Sequence, residues 1–214
     1  MKDKKIKIVE GFVHWKTAIL KRIRHFFLKK TPFSIISNNC WGGFICQYFG
    51  IPYTSPFAGL FLFAPDYLKL LENLEGYLGK ELHFIDADES KYQNELRKNR
   101  TFNQYPIGVL EDVEIHFLHY ASREEVLEKW KNRLKRICWD NLIVKFCDRD
   151  LATPELIHRF DNLPFEKKVC LVAQKYEYAS CLKLKNENSQ FVENEWENFK
   201  KTVNVVKFMN KLID

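Results

Sequence analysis

The stretch that decides the fold is Phe33-Ser34-Ile35-Ile36-Ser37-Asn38-Asn39-Cys40-Trp41-Gly42-Gly43. Its first five residues predict a short strand and the Asn-Asn-Cys-Trp segment predicts a loop. Residues 43–49 then predict a helix, which ends where Gly50-Ile51-Pro52 breaks the chain. A strand joined to a helix in this way is the repeating unit of α/β proteins.

The same alternation continues along most of the chain. Further strands are predicted at residues 59–63, 81–85, 105–110, 113–119, 141–146 and 168–173, and further helices at residues 15–30, 65–78, 122–137, from 153, and 192–212. Apolar runs such as Leu142-Ile143-Val144 indicate strands buried on both faces. We therefore expect an α/β fold: a mostly parallel sheet with helices on both faces, in a Rossmann-like three-layer architecture.

Length and charge indicate one domain with two distinct ends. A chain of 214 residues, 46% of them hydrophobic, suits a single α/β domain over residues 1–214. Residues 1–30, with ten Lys or Arg and two acids, are predicted to be a basic helical extension, and residues 191–214 are predicted to be a C-terminal helix. The whole chain carries +6, so the excess positive charge lies entirely in this extension. A nucleic-acid partner is therefore not expected.

The location expected from the sequence is cytoplasmic. The longest apolar stretch, residues 58–65, is far shorter than the roughly 20 residues that span a bilayer. The apolar side chains of the predicted helix at residues 15–30 have two interpretations. They pack on the sheet, which is the commoner arrangement, or they lie peripherally on the inner face of the membrane. The sequence leaves the oligomeric state open.

The first candidate site is the loop after the first predicted strand, because ligands of open α/β sheets bind at the carboxyl ends of strands. Ser37, Asn38 and Asn39 offer polar groups to a small-molecule or glycan substrate. Trp41, Gly42 and Gly43 begin a helix, whose N-terminus favours anions. Cys40 at that N-terminus is expected to have a depressed pKa and is a candidate nucleophile. The alternative is a tight structural turn with a buried thiol.

Two acidic tripeptides follow predicted strands, Asp86-Ala87-Asp88 and Asp148-Arg149-Asp150. Two carboxylates after a strand can share one hard cation, so Asp148 and Asp150 are candidate ligands for Mg²⁺ or Mn²⁺. Aspartates at strand ends also serve as turn or capping residues, which is the commoner role.

The histidines supply the candidate bases. His116 and His119 lie three residues apart in a predicted strand, where odd spacing places them on opposite faces. One of them is a candidate general base, and the alternative for each is a half-buried, hydrogen-bonded side chain. No Gly-x-Ser-x-Gly, Walker or His-Glu-x-x-His motif occurs, and none of the six cysteines forms a Cys-x-x-Cys pair.

The segment from about Pro32 to Ala173 resembles an uncharacterised bacterial family found with exopolysaccharide and capsule biosynthesis genes. The resemblance rests on the Ser-Asn-Asn-Cys-Trp-Gly-Gly string at residues 37–43, on Asp66-Tyr67, and on the stretches at residues 115–120 and 148–150. Members are described variously as polysaccharide biosynthesis proteins and as acyl or acetyl transferases. The resemblance therefore implies a transferase acting on a sugar or sugar-linked intermediate. The alternatives are a Cys40-dependent acyltransferase or hydrolase, and a non-catalytic glycan- or nucleotide-binding module.

Overall fold

The main sheet of the protein is parallel and four-stranded. A computed structural model describes residues 16–214, and the start of the predicted N-terminal helix, including Trp15, lies outside them. Strands β1 (Ser34–Ser37), β5 (Leu142–Cys147), β6 (Lys168–Val172) and β7 (Cys181–Lys183) stand in the order β1-β5-β6-β7 with every pair parallel. Among the described residues, these strands follow their order in the chain from one edge of the sheet to the other. This order lacks the reversal that marks a dinucleotide-binding sheet, so the Rossmann-like part of the expectation is not confirmed.

A second sheet is antiparallel and was not expected. It contains β2 (His83–Ile85), β3 (Ile107–Leu110) and β4 (Val113–His116) in that order. Buried Asp66, in the helix at residues 64–72, connects that helix to this sheet, because it accepts the Glu114 backbone N–H at 2.7 Å. Asp66 also pairs with Lys91 at 2.7 Å. The α/β class and the mostly parallel main sheet are confirmed, with this second sheet added.

The helices are α1 (Trp41–Phe49), α2 (Ala64–Glu72), α3 (Leu74–Leu78), α4 (Gln93–Lys98), α5 (Arg123–Leu134), α6 (Pro154–Asn162), α7 (Glu195–Thr202) and α8 (Val205–Ile213). Residues 16–26 are also helical. Ser122 and Thr153 cap α5 and α6 as predicted, each accepting the backbone N–H three residues on. None of the helices between residues 16 and 214 is long and apolar enough to cross a bilayer.

Two hydrophobic clusters cover the two faces of the parallel sheet. Alternate strand residues divide between them, so that Ile35 and Ile143 lie in the cluster with Trp41 of α1, whereas Ile36 and Val144 lie in the other. Side chains of α7 and α8 complete the first cluster, and side chains of α2, α5 and α6 complete the second. This packing fixes the direction of α1, which starts at the carboxyl edge of the sheet.

Three predicted elements differ from the structure. Residues 59–63 do not form a strand of either sheet. Phe61 makes only an isolated antiparallel bridge to His116, since the neighbouring backbone groups bond to other loops. The helix predicted at residues 65–78 breaks at Asn73, and the C-terminal helix predicted at residues 191–214 begins at Glu195 and breaks at Val203, where the backbone is extended. Asn204 then caps α8 by accepting the Lys207 backbone N–H.

Candidate functional site

A cleft of about 870 Å³ opens at the carboxyl edge of the parallel sheet. The loops after β1 and β5 form one side of it, and the start of α7 and the segment before it form another. The lining is aromatic and acidic: it includes Phe44, Phe61, Phe63, Tyr105, Phe191 and Trp196, together with Glu95, Asp148, Asp150, Glu193, Glu195 and Glu197. Only Lys98 and Arg149 contribute basic groups to the described lining. An aromatic cavity with a few convergent polar groups is the usual form of a ligand site.

A lysine with no exposed side-chain surface lies behind the floor of the cleft. Lys145 is the fourth residue of β5, and its Nζ lies 2.5 Å from Glu195 Oε1 and 3.0 Å from Asn39 Oδ1. The Asn38 Oδ1 atom is 3.4 Å away and completes the set of acceptors. A buried ammonium is tolerated only with such partners, since its desolvation otherwise costs several kcal/mol. Lys145 therefore connects the strand core to the cleft.

Glu195 carries the matching charge at the cleft surface. It lies in the first turn of α7, lines the cleft, and is 8% exposed. Its Oε2 accepts the Asn39 Nδ2 donor at 2.7 Å, whereas Oε1 receives no directed hydrogen bond from the described residues despite the close ion pair. The carboxylate is thus held in one orientation, with Oε2 bonded to Asn39 and Oε1 buried against the Lys145 ammonium.

The Ser37–Gly43 loop is held in its conformation by hydrogen bonds among its own residues. Ser37 Oγ donates to the Asn39 carbonyl at 2.5 Å and accepts the Gly42 N–H at 3.4 Å, while Asn39 Oδ1 accepts the Trp41 N–H at 3.2 Å. Two of the free N–H groups at the start of α1 are therefore already used. This arrangement leaves less of the helix terminus for an anion than the sequence predicted. Asn39, Cys40 and Trp41 line the cleft, whereas Ser37 and Asn38 are fully buried behind it.

The two glycines of the loop differ in what they permit. A Cβ at Gly42 would lie 3.0 Å from Ile35 Cγ2, so this position is small because α1 packs closely on β1. A Cβ at Gly43 would meet only Tyr53 at 3.9 Å, which is an ordinary contact. Close packing therefore explains Gly42, and neither glycine is described as part of the cleft lining.

Cys40 lies on the cleft wall with its thiol directed at the Leu60 carbonyl, 4.0 Å away. Burial raises the pKa of the Cys40 thiol, the charge of Glu195 raises it further, and Lys145 offsets this only in part. The depressed pKa expected from the sequence is therefore wrong in direction. The reason is that burial and a neighbouring carboxylate outweigh the helix terminus.

The two aspartates predicted to bind metal occupy different environments. Asp148 accepts the Ala173 N–H at 2.6 Å through one oxygen and the Val192 N–H at 2.8 Å through the other. It thereby holds the loop after β6 and the segment before α7 together. Burial raises the pKa of the Asp148 carboxyl, and these two N–H donors lower it. No cluster of three or more His, Cys, Asp or Glu side chains able to hold a metal occurs between residues 16 and 214.

Asp150 faces the cleft from a strained turn. Asp150 and Leu151 have positive φ values of 54° and 69°, a region that leucine rarely adopts. Burial raises the pKa of the Asp150 carboxyl, and the nearby charge of Glu195 raises it further, while Arg149 and Lys145 lower it. Asp150 therefore retains a proton to higher pH than an exposed aspartate.

The two histidines are placed outside the cleft lining. The predicted strand ends at His116, which is fully buried, and His119 follows in an exposed turn. The His116 ring stacks on Phe61 at 4.6 Å, and neither of its nitrogens has a hydrogen-bond partner among the described residues. Burial lowers the pKa of His116 to about 3, with a smaller contribution from Lys91. The ring is neutral at pH 7 and lies behind Phe61 of the aromatic wall.

Lys145 and Glu195 are not among the site residues predicted from the sequence. A lysine inside the apolar run of β5 is a visible signal, because a lysine buried in a sheet needs an acidic or amide partner. Glu195 gives no such signal. It lies 156 positions after Asn39, and only the tertiary fold brings the two together.

Comparison with known proteins gives a family and no activity. An uncharacterised protein of Haemophilus influenzae (strain ATCC 51907 / DSM 11121 / KW20 / Rd) is 38% identical over 169 residues, which cover 75% of each chain. A family described as a domain of unknown function, DUF1919, matches residues 13–213. The match spans the helix at residues 16–26 and the C-terminal helices. The chain belongs to the DUF1919 family.

Proposed function

We propose that the protein is a transferase acting on a sugar or a sugar-linked intermediate, with the cleft at the carboxyl edge as its site. The observation that carries the proposal is the pair of unlike carboxylates there, Glu195 held by Lys145 and Asp150 with a raised pKa. Carboxylates with different environments are the usual acid–base equipment for reactions at a glycosidic carbon.

The lining also matches the chemistry of a sugar. Exposed aromatic side chains such as Phe44 and Phe191 offer surfaces for the apolar face of a pyranose ring, and exposed Glu193 and Asn194 offer partners for its hydroxyls. Acidic side chains outnumber basic ones in the lining, so a bare diphosphate is disfavoured. A nucleotide-sugar donor would need Mg²⁺ or Mn²⁺ held by the deprotonated Asp150 carboxylate, so the acid–base scheme below applies to a sugar-linked donor without a diphosphate.

In this proposal each carboxylate has one task. Asp150, whose pKa is raised by burial, gives a proton to the departing oxygen of the donor as that oxygen leaves C1 with the bonding electron pair. Glu195 stabilises the positive charge that develops at C1. The acceptor hydroxyl then forms the new bond to C1 and returns a proton to Asp150.

The proposal also includes the pathway and the location of the protein in the cell. The resemblance stated from the sequence links the family to exopolysaccharide or capsule synthesis, whose sugar intermediates are assembled at the inner membrane face. A peripheral attachment there fits the basic N-terminal extension.

Thermal unfolding with a ligand panel tests the function. Nucleotide sugars, free sugars, acyl-CoAs and divalent metals are compared on the wild type and on Asp150→Asn. A sugar or nucleotide sugar at about a hundred times its dissociation constant should stabilise the wild type by about 2.7 kcal/mol. Stabilisation by acyl-CoA alone would instead favour the Cys40-dependent acyltransferase. Sugar binding without turnover of any donor–acceptor pair would favour a glycan-binding module, and no response to any sugar would refute the proposal.

A further inference from the structure

The helix at residues 16–26, the basic helix, contacts the body of the protein through charged side chains. The Arg24 guanidinium lies 3.8 Å from the centre of the Tyr48 ring and 3.5 Å from the Tyr48 carbonyl. Lys21 Cβ packs closely against Gly50, since a Cβ added at Gly50 would lie 3.1 Å from it. The side of the basic helix that faces α1 is therefore polar.

The chain just after the basic helix is fastened to α8. The Lys29 N–H donates to Asn210 Oδ1 at 2.9 Å, and Asn210 Nδ2 donates to the Phe27 carbonyl at 2.8 Å. The Lys29 ammonium pairs with Asp214 at 2.6 Å. These contacts to two helices fix the orientation of the basic helix on the protein.

Four apolar side chains of this segment are exposed, whereas Leu28 packs against the cluster around Trp41. Leu20 and Ile23 are 48% and 47% exposed, and Phe26 and Phe27 are 83% and 57% exposed. The packing on the sheet that the sequence favoured is therefore wrong for Ile23, Phe26 and Phe27. Side chains of this size each gain about 1.5–3 kcal/mol from full burial, so the surface is adapted to a partner.

We propose that this surface, formed by Leu20, Ile23, Phe26 and Phe27, docks on an anionic membrane. Charge selects the partner, because residues 16–30 contain six basic side chains and no acidic one. Each basic group near an anionic lipid surface contributes about 1 kcal/mol, and aromatic side chains suit the interface. A second copy of this surface would bring like charges together, which disfavours a symmetric dimer. This inference rests on the proposed location at the inner membrane face and not on the proposed reaction.

The position of the basic helix determines how the cleft is presented. The basic helix contacts Tyr48 in the last turn of α1, and the chain leads from it directly into β1, so it lies at the amino edge of the parallel sheet. The cleft lies at the carboxyl edge, beyond strands about 13–20 Å long. A docked protein therefore opens its cleft away from the lipid, towards sugars that arrive from solution or on long carriers.

Vesicle flotation of the full chain tests the surface. The probes are vesicles of pure phosphatidylcholine and vesicles in which about a third of the lipid is phosphatidylglycerol. We expect the wild type to float only with the anionic vesicles at low salt and to be released as the salt is raised. Phe26→Glu should weaken the partition at least about tenfold, because it removes a large apolar contact and adds a repelled charge.

Ile23→Glu should weaken the partition as well, and Leu127→Glu is its matched control, because Leu127 on α5 is 45% exposed and Ile23 is 47% exposed. Leu127→Glu should float as the wild type does. Equal flotation of wild type and Phe26→Glu would overturn the proposal, as would no flotation of the wild type at low salt. A dimer in sedimentation that Ile23→Glu dissociates would assign the surface to a second copy instead. Phe26→Glu should keep any stabilisation by sugars, so failure of the proposed function is seen separately.

Discussion

Removing the buried charge of Lys145 should destabilise the protein strongly. Lys145→Met keeps most of the apolar stem but leaves Glu195, 8% exposed, with Asn39 as its remaining described partner. Breaking a buried ion pair from one side costs about 3–5 kcal/mol, because the other charge stays buried and uncompensated. For a chain of this size each kcal/mol corresponds to about 2–4 °C, so the melting temperature should fall by roughly 6–20 °C.

A double variant separates the charge from the packing. Lys145→Met combined with Glu195→Gln removes both charges, and the glutamine oxygen still accepts the Asn39 Nδ2 donor. We expect this variant to regain at least half of the lost stability in urea unfolding. Lys175→Met, which breaks the exposed pair with Glu177, is the control and should leave stability unchanged. A loss below about 1 kcal/mol in Lys145→Met, or a double variant no more stable than the single one, would refute the reasoning.

Three further predictions follow from the titrating groups. Burial depresses the pKa of His116 to about 3, so the folded state disfavours the protonated ring. The stability that this neutral ring contributes is present above about pH 6.5 and lost as the pH falls towards 3, and His116→Phe should flatten that part of the urea-unfolding profile. A hydrogen bond from Cys170 lowers the pKa of half-buried Cys181, whereas burial raises that of Cys40, so mass spectrometry should find Cys181 and not Cys40 labelled first by iodoacetamide near neutral pH. If Asp150 binds a hard cation, Mn²⁺ should raise the melting temperature of the wild type and not of Asp150→Asn; equal shifts would contradict this.

Local signals in the sequence predict the parts of the fold that depend on local chemistry. Ser122 and Thr153 cap helices where the sequence places them, because a capping side chain needs only its own next three residues. Asn73 gives no such signal, although α2 ends there with φ −145° and ψ 56°. The strand predicted at residues 59–63 fails because of distant contacts. Its apolar residues are buried, but their backbone partners belong to three different elements.

The candidate site shows the same division between local and distant signals. The sequence indicates the loop after β1, and Asn39, Cys40 and Trp41 do line a cleft. It cannot show that Glu195 completes that cleft, since no pattern joins two positions so far apart in the chain. For the basic helix, periodicity identifies an apolar face but not the direction in which it points. Polar contacts of Arg24 and Lys29 decide that direction.

The stretch at residues 61–64, which leads into α2, has a mechanical consequence. The Phe61 N–H bonds to the His116 carbonyl of the antiparallel sheet, the Leu62 N–H to the Asn38 carbonyl, and the Ala64 N–H to the Asp150 carbonyl. One short stretch is thus hydrogen-bonded to the antiparallel sheet and to the loops after β1 and β5, which carry the candidate site residues. Neither loop can shift without losing a backbone hydrogen bond, so the cleft is preorganised. A substrate then spends little of its binding energy on ordering the protein, and specificity depends on side chains set in a rigid frame.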